Sequence, residues 1–185
     1  MSITTLDPNT ALVVIDLQVG VMTLQTAPLS TAAVAANAAT LARAFRKRGL
    51  PVVLATMASR APGRTEVPGP DTRAFPPNWT DLAVELDRQP SDLLITRHAF
   101  NAFYGTPLDL YLRRRGMTQI VLCGIATGVG VESTGRDAFD RGYNVTFAVD
   151  AMADRSGESH AYCVATGFPR LGETGTVAQI SAHLA

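Results

Sequence analysis

The sequence predicts an α/β fold, a mostly parallel sheet of about six strands between two helical layers in an αβα sandwich. Three observations carry this. Short, nearly continuous runs of branched apolar residues recur along the chain, as in parallel strands covered on both faces. Segments with helical spacing lie between those runs. Finally, 46% of the 185 residues are hydrophobic and 17% are charged, which suits a compact core and argues against disorder. A single domain over residues 1–185 is expected.

The first strand is Ala11–Ile15, followed directly by Asp16. Ser30–Arg48 is a helix with Ala33, Ala36, Leu41, Ala44 and Phe45 at helical spacing, ended by Gly49. Pro51–Ala55 and Leu93–Ile95 are the second and third strands. Leu108–Arg115 is the next helix, with Pro107 at its first turn and Gly116 at its end. Ile120–Cys123 is the fourth strand, Glu132–Arg141 a helix stopped by Gly142, and Val145–Val149 the fifth strand. Ser156–Phe168 reads as a helix and Gly175–Ala178 as a short sixth strand. This alternation is that of a Rossmann-like, doubly wound sheet. One stretch breaks the rhythm: Ala58–Trp79 carries Pro62, Pro68, Pro70, Pro76 and Pro77 with Gly63 and Gly69. It is expected to be an irregular excursion and a candidate lid, since long loops inside compact domains are commonly functional.

Sixteen basic and sixteen acidic residues cancel, so no global field favours nucleic acid or an anionic membrane. The triplet Arg113–Arg115 ends a helical pattern, where cations complement the helix dipole. No apolar run approaches the roughly 20 residues that span a bilayer. The opening MSITTLDPNT lacks the basic and apolar regions of a signal peptide. Cys123 and Cys163 form neither metal spacing nor a disulfide framework. A cytoplasmic protein without metal or cofactor, and without nucleic-acid or membrane partners, is expected.

In open α/β sheets the binding crevice lies outside the carboxyl ends of the strands. Asp16 follows strand one, Arg97 follows strand three, and the glycine-rich turn Gly124–Gly130 links strand four to a helix. Three polar features thus converge on one end of the sheet, and this convergence marks the candidate site.

These residues lie within VVIDLQ at 13–18, TRHAFNAFYGT at 96–106, GIATGVGVESTGRDAFDRGYNV at 124–145 and RLGETGT at 170–176. In combination, the motifs resemble those of the isochorismatase-like superfamily of hydrolases over nearly the whole chain. In its thiol-dependent members an Asp, a Lys and a Cys form a triad. The Cys attacks an amide carbonyl while backbone amides hold the oxyanion. The resemblance puts Asp16 at the acid, Arg97 at the lysine position and Gly130 at the cysteine position. It also implies a cis peptide at Ile125–Ala126.

With Gly130 no thiol stands ready to attack, which disfavours an acyl-enzyme. Cys123 lies in an apolar strand and reads as buried and inert, and Cys163 falls on a distant helix pattern. The isochorismatases that also lack the cysteine hydrolyse a vinyl ether with water, the Asp serving as acid. That chemistry requires a carboxylic acid neutral part of the time. An apolar pocket would raise the pKa of Asp16 while a nearby Arg97 lowers it. A guanidinium moves no proton, but it holds a fixed charge and a fork suited to carboxylates. The chain departs from those isochorismatases at Ala126, where they carry an aromatic residue, and in TMASRAPGRTE after strand two, where they carry a glutamine. Arg60 and Arg64 in that loop are either a second anion contact or solvated.

The expectation is a hydrolase without a cysteine nucleophile, acting on a small, anionic, carboxylate-bearing molecule. Asp16, Arg97 and Gly130 are the catalytic positions, and Gln18, Phe103, Ala126 and Thr127 the substrate contacts. Backbone amides around Ala126–Gly130 would polarise an oxygen. Relatives of this kind assemble, so a homo-oligomer, dimer or larger, is expected. The competing reading is a non-catalytic binder of small acids. Other signals are weaker. Gly124, Gly128 and Gly130 have the wrong order for a dinucleotide loop, and VESTG at 131–135 lacks the first glycine of a nucleophile elbow. His98, His160 and His183 are scattered, without the D-x-H metal pattern of the nicotinamidase branch. His98 beside Arg97 lines the pocket or is solvated. Phe100, Phe103 and Tyr104 wall the pocket or pack in the core.

Overall fold

The computed structural model describes residues 3–67, 69 and 75–184. Its strands are β1 Thr10–Ile15, β2 Val52–Met57, β3 Leu93–Arg97, β4 Gln119–Ile125, β5 Asn144–Ala153 and β6 Glu173–Gly175. Its helices are α1 Val19–Met22, α2 Thr31–Lys47, α3 Leu108–Arg114, α4 Glu132–Asp140, α5 Gly157–Tyr162 and α6 Val177–His183. The strands form one sheet in the order β3-β2-β1-β4-β5-β6. Every neighbouring pair is parallel, so the expected mostly parallel sheet is parallel throughout.

Alternation along β1 assigns its side chains to two cores. Leu12 and Val14 pack with α2 and α6 on one face. Ala11, Val13 and Ile15 pack with α3 and α4 on the other. The α2 helix starts where the Ser30 hydroxyl accepts the Ala33 amide at 3.2 Å. Its buried face is rich in alanine, with Val34, Leu41 and Phe45 as the larger anchors. Arg46 near its end pairs with Asp92 at 2.6 Å, fixing the helix to the segment that enters β3.

Two expected elements differ in extent. Ser156–Phe168 is broken: α5 gives way to a π-helical turn at Cys163–Gly167. The sixth strand lies earlier than Gly175–Ala178, because Thr176 and Gln179 form a capping box that commits residues 177 and 178 to α6. A short apolar run does not by itself distinguish a strand from a helix start. The fifth strand also runs past Val149 to Ala153, after a register shift opposite Leu122 and Gly124.

Strand order reverses direction between β1 and β4, and the crevice beyond their carboxyl ends is where such folds bind ligands. The excursion after β2 forms no helix or strand in its described residues 58–67, 69 and 75–79. Pro68, Pro70 and residues 71–74 of the candidate lid lie outside the described residues. The far end of the excursion is anchored. Phe75 stacks on Trp79 with ring centroids 3.7 Å apart, and the Trp79 indole donates to the Met57 carbonyl at 3.2 Å.

Candidate active site

Asp16 leaves the end of β1 with φ +52°, a left-handed conformation that aspartate tolerates better than most residues. Beside it, β4 passes with Gly124 at φ +118°. A Cβ at Gly124 would stand 2.0 Å from the Ile15 carbonyl oxygen, so only glycine permits this approach. Arg97 ends β3, two strands from β1, and its side chain reaches across to Asp16.

The guanidinium grips the carboxylate with two nitrogens. Arg97 Nε donates to Asp16 Oδ1 at 3.0 Å, and Nη2 donates to Oδ2. The third nitrogen, Nη1, donates to the Ala99 carbonyl. Both side chains are nearly sealed from solvent, Asp16 at 4% and Arg97 at 2% exposure. Burial pushes the Asp16 carboxyl up to about 6, against the charge and hydrogen bond of Arg97, which lower it. Both opposing influences expected from the sequence are present, and desolvation prevails.

The Ile125–Ala126 peptide is cis, as the resemblance implies, and leads into a π-helical turn over Thr127–Val131. Side chains pin this turn from three directions. Asp154 Oδ2 accepts the Gly128 amide at 2.7 Å. Thr127 Oγ1 meets His160 Nδ1 at 2.9 Å, and burial holds the pKa of His160 below its ordinary value. Thr134 donates to the Gly130 carbonyl at 2.7 Å and accepts the Ala102 amide at 3.1 Å, which ties the turn to the loop after β3. Gly130 itself faces Arg97: a Cβ there would lie 2.9 Å from Nη2 and 2.8 Å from Ile15 Cγ2.

A cavity of about 220 Å³ opens over these groups. Asp16, Arg97, Ala126 and Gly130 line it together. The other expected contacts lie elsewhere. Gln18 is fully buried, its amide bonded to the Met57 carbonyl at 3.0 Å and the Trp79 carbonyl at 2.9 Å, its oxygen accepting the Met57 amide at 2.7 Å. Thr127 is fully buried against His160. Phe103 stacks on Tyr143 in the core, and Phe100 lines the cavity instead. His98 is exposed and meets Ser59 Oγ at 2.6 Å. Arg60 lines the cavity, whereas Arg64 is exposed outside it.

Sequence reasoning missed Arg155, which also lines the cavity. It follows the end of β5, as Asp16 follows β1. Ending that strand at Val149 hid this signal. Both cysteines are buried, and burial pushes each thiol up to about 12. A larger cavity of about 500 Å³ borders Gln119 and Asn144 at the opposite ends of the strands and contains none of these residues. Among the described residues, no cluster of three or more His, Cys, Asp or Glu side chains is placed to hold a metal ion, and no helix is long and apolar enough to cross a membrane.

The model of the isochorismatase domain matches residues 10–179. The isochorismatase family protein YecD of Escherichia coli O157:H7 is 40% identical over 178 residues, covering 93% of this chain and 94% of that protein. An isochorismatase family protein from Burkholderia thailandensis superposes with TM-score 0.94 at 43% identity, covering 99% of each chain. N-carbamoylsarcosine amidase from Thermoplasma acidophilum superposes with TM-score 0.71 at 26% identity, covering 91% of this chain and 96% of its own. With the isochorismatase domain matched over residues 10–179 and a parallel sheet that superposes on that of a family member, this chain belongs to the isochorismatase family of hydrolases.

Proposed function

We propose that this chain hydrolyses a small carboxylate-bearing substrate by acid/base-assisted attack of water, without a cysteine nucleophile. The observation that carries the reading is the contact between Gly130 and Arg97. The position that resembles the family's cysteine has no side chain, and the Arg97 guanidinium stands where one would project. Neither Cys123 nor Cys163 lines the cavity, and thiols raised to about 12 supply almost no thiolate at neutral pH.

Asp16 is the acid. With its carboxyl raised to about 6, it holds a proton in part of the population near neutrality. That proton passes to the bond that breaks, water supplies the hydroxyl, and the water's remaining proton returns to Asp16. Arg97 positions the carboxyl through its two donated hydrogen bonds and moves no proton. Backbone amides of the Ala126–Gly130 turn other than those of Gly128 and Val129, which bond Asp154 and the Ala126 carbonyl, polarise the reacting oxygen. The amidase among the structural neighbours supports hydrolytic chemistry on this fold.

A second reading, a non-catalytic binder of small acids, draws on one observation: both Asp16 oxygens are already engaged by Arg97. A panel of isochorismate, small amides and small esters, run beside a thermal-shift screen of small acids, separates the two. Turnover supports the hydrolase. Stabilisation without turnover supports the binder.

A further inference from the structure

The guanidinium of Arg97 has little left to offer a substrate. Its Nε and Nη2 serve Asp16, its Nη1 serves the Ala99 carbonyl, and the side chain is almost completely buried. A substrate carboxylate therefore needs another partner. Two further arginines line the same cavity, Arg60 after β2 and Arg155 after β5. These strands flank the central β1–β4 pair on opposite sides, so the arginines approach the cavity from its two flanks.

Their surroundings differ from those of the buried pair. Among the described residues Arg155 forms no ion pair, and it is exposed at the rim. The neighbouring Asp154 is turned to the backbone, accepting the Gly128 and Ser156 amides at 2.7 and 3.3 Å. The Arg60 guanidinium lies over the Phe100 ring, 5.9 Å from its centroid. Between them the walls are apolar: Val21, Leu24, Met57 and Val129. With Asp16 and Arg97 cancelling, the lining carries the charge of Arg60 and Arg155.

We infer that Arg155 and Arg60 are the specificity-determining residues of this site, and that they take the carboxylate of a compact molecule with an apolar body. The carboxylate sits at the rim between the two guanidinium groups. The body fills the apolar walls, and the reacting end points down to Asp16. This rests on the reading of the cavity as a substrate site, and it moves the anion contact from Arg97 to the rim. Arginine suits the task because its planar fork matches a carboxylate.

The test is equilibrium binding of benzoate, with its neutral analogue benzamide as control, followed by calorimetry and thermal shift. The wild-type protein should bind benzoate saturably and benzamide at least about tenfold more weakly, the cost of one charge-assisted hydrogen bond. Arg155→Gln and Arg60→Gln should each weaken benzoate by a similar factor. Arg114→Gln, at the exposed end of α3, makes the same charge change away from the cavity and should have no effect. Equal affinity for benzoate and benzamide, no benzoate binding at all, or full affinity in either Arg155→Gln or Arg60→Gln overturns the inference. Binding is read without turnover, so a failure of the hydrolase reading appears only in the activity panel and leaves these results as they stand.

Discussion

Burial and Arg97 act on Asp16 in opposite directions, and burial prevails, lifting its carboxyl from 3.8 to about 6. The sign of the consequence follows from linkage. The folded state holds this proton more tightly than the unfolded state, so the stability it contributes is complete below about pH 4 and is lost as pH rises through 6. Asp16→Asn removes that dependence. The stability of the wild type relative to the variant should decline between pH 4 and 6 and then level, as read from urea midpoints. A flat difference across that window would show that Asp16 is not perturbed. Gly130 carries the second prediction at this scale. A methyl group there would meet Arg97 and Ile15 at under 3 Å, so Gly130→Ala should cost about 1–3 kcal/mol. Adding Arg97→Lys, which replaces the fork with a single nitrogen, should recover part of that loss. Strict additivity in the double-mutant cycle would mean the two residues do not share that space.

Among the elements, the end of β2 and the tail of the excursion are joined through Gln18, which bonds Met57 twice and Trp79 once. Gln18→Leu strands the buried Met57 amide, while the Met57 and Trp79 carbonyls keep the Trp79 indole and the Gly20 amide, so it should cost about 1–3 kcal/mol. A variant as stable as wild type in urea would show that Gln18 contributes nothing to holding the segment. Gln18 also shows what sequence reading misses. Its place in VVIDLQ suggests a substrate contact, but the side chain turns into the chain and satisfies backbone groups. The central strands were legible because they are buried on both faces and leave unbroken apolar runs. The ends of β5 and β6 were not. A register shift extends one, and a capping box shortens the other, and neither device leaves a hydrophobic signature.

At the scale of the molecule, the sheet order brings residues 16, 60, 97, 126, 130 and 155 to one end of the fold. Asp16, Arg97 and the glycine turn were legible because each follows a strand at its carboxyl end. Their pairing in space, and the entry of Arg155, depend on strand order and on how far β5 extends, which no local pattern encodes. The resemblance further implies assembly, so light scattering at micromolar concentration should give at least twice the 19.6 kDa chain mass. A monomer there contradicts that expectation.

The central claim is that Asp16, and no thiol, drives hydrolysis. It is tested most directly by kcat/KM against pH for wild type and Asp16→Asn, on whichever substrate of the panel is turned over. Because the protonated carboxyl is the active form, the wild-type value should be flat below about pH 6 and fall about tenfold per unit above it. Asp16→Asn should lose at least about 100-fold, the lower range for one general acid. Full turnover in Asp16→Asn would contradict the account.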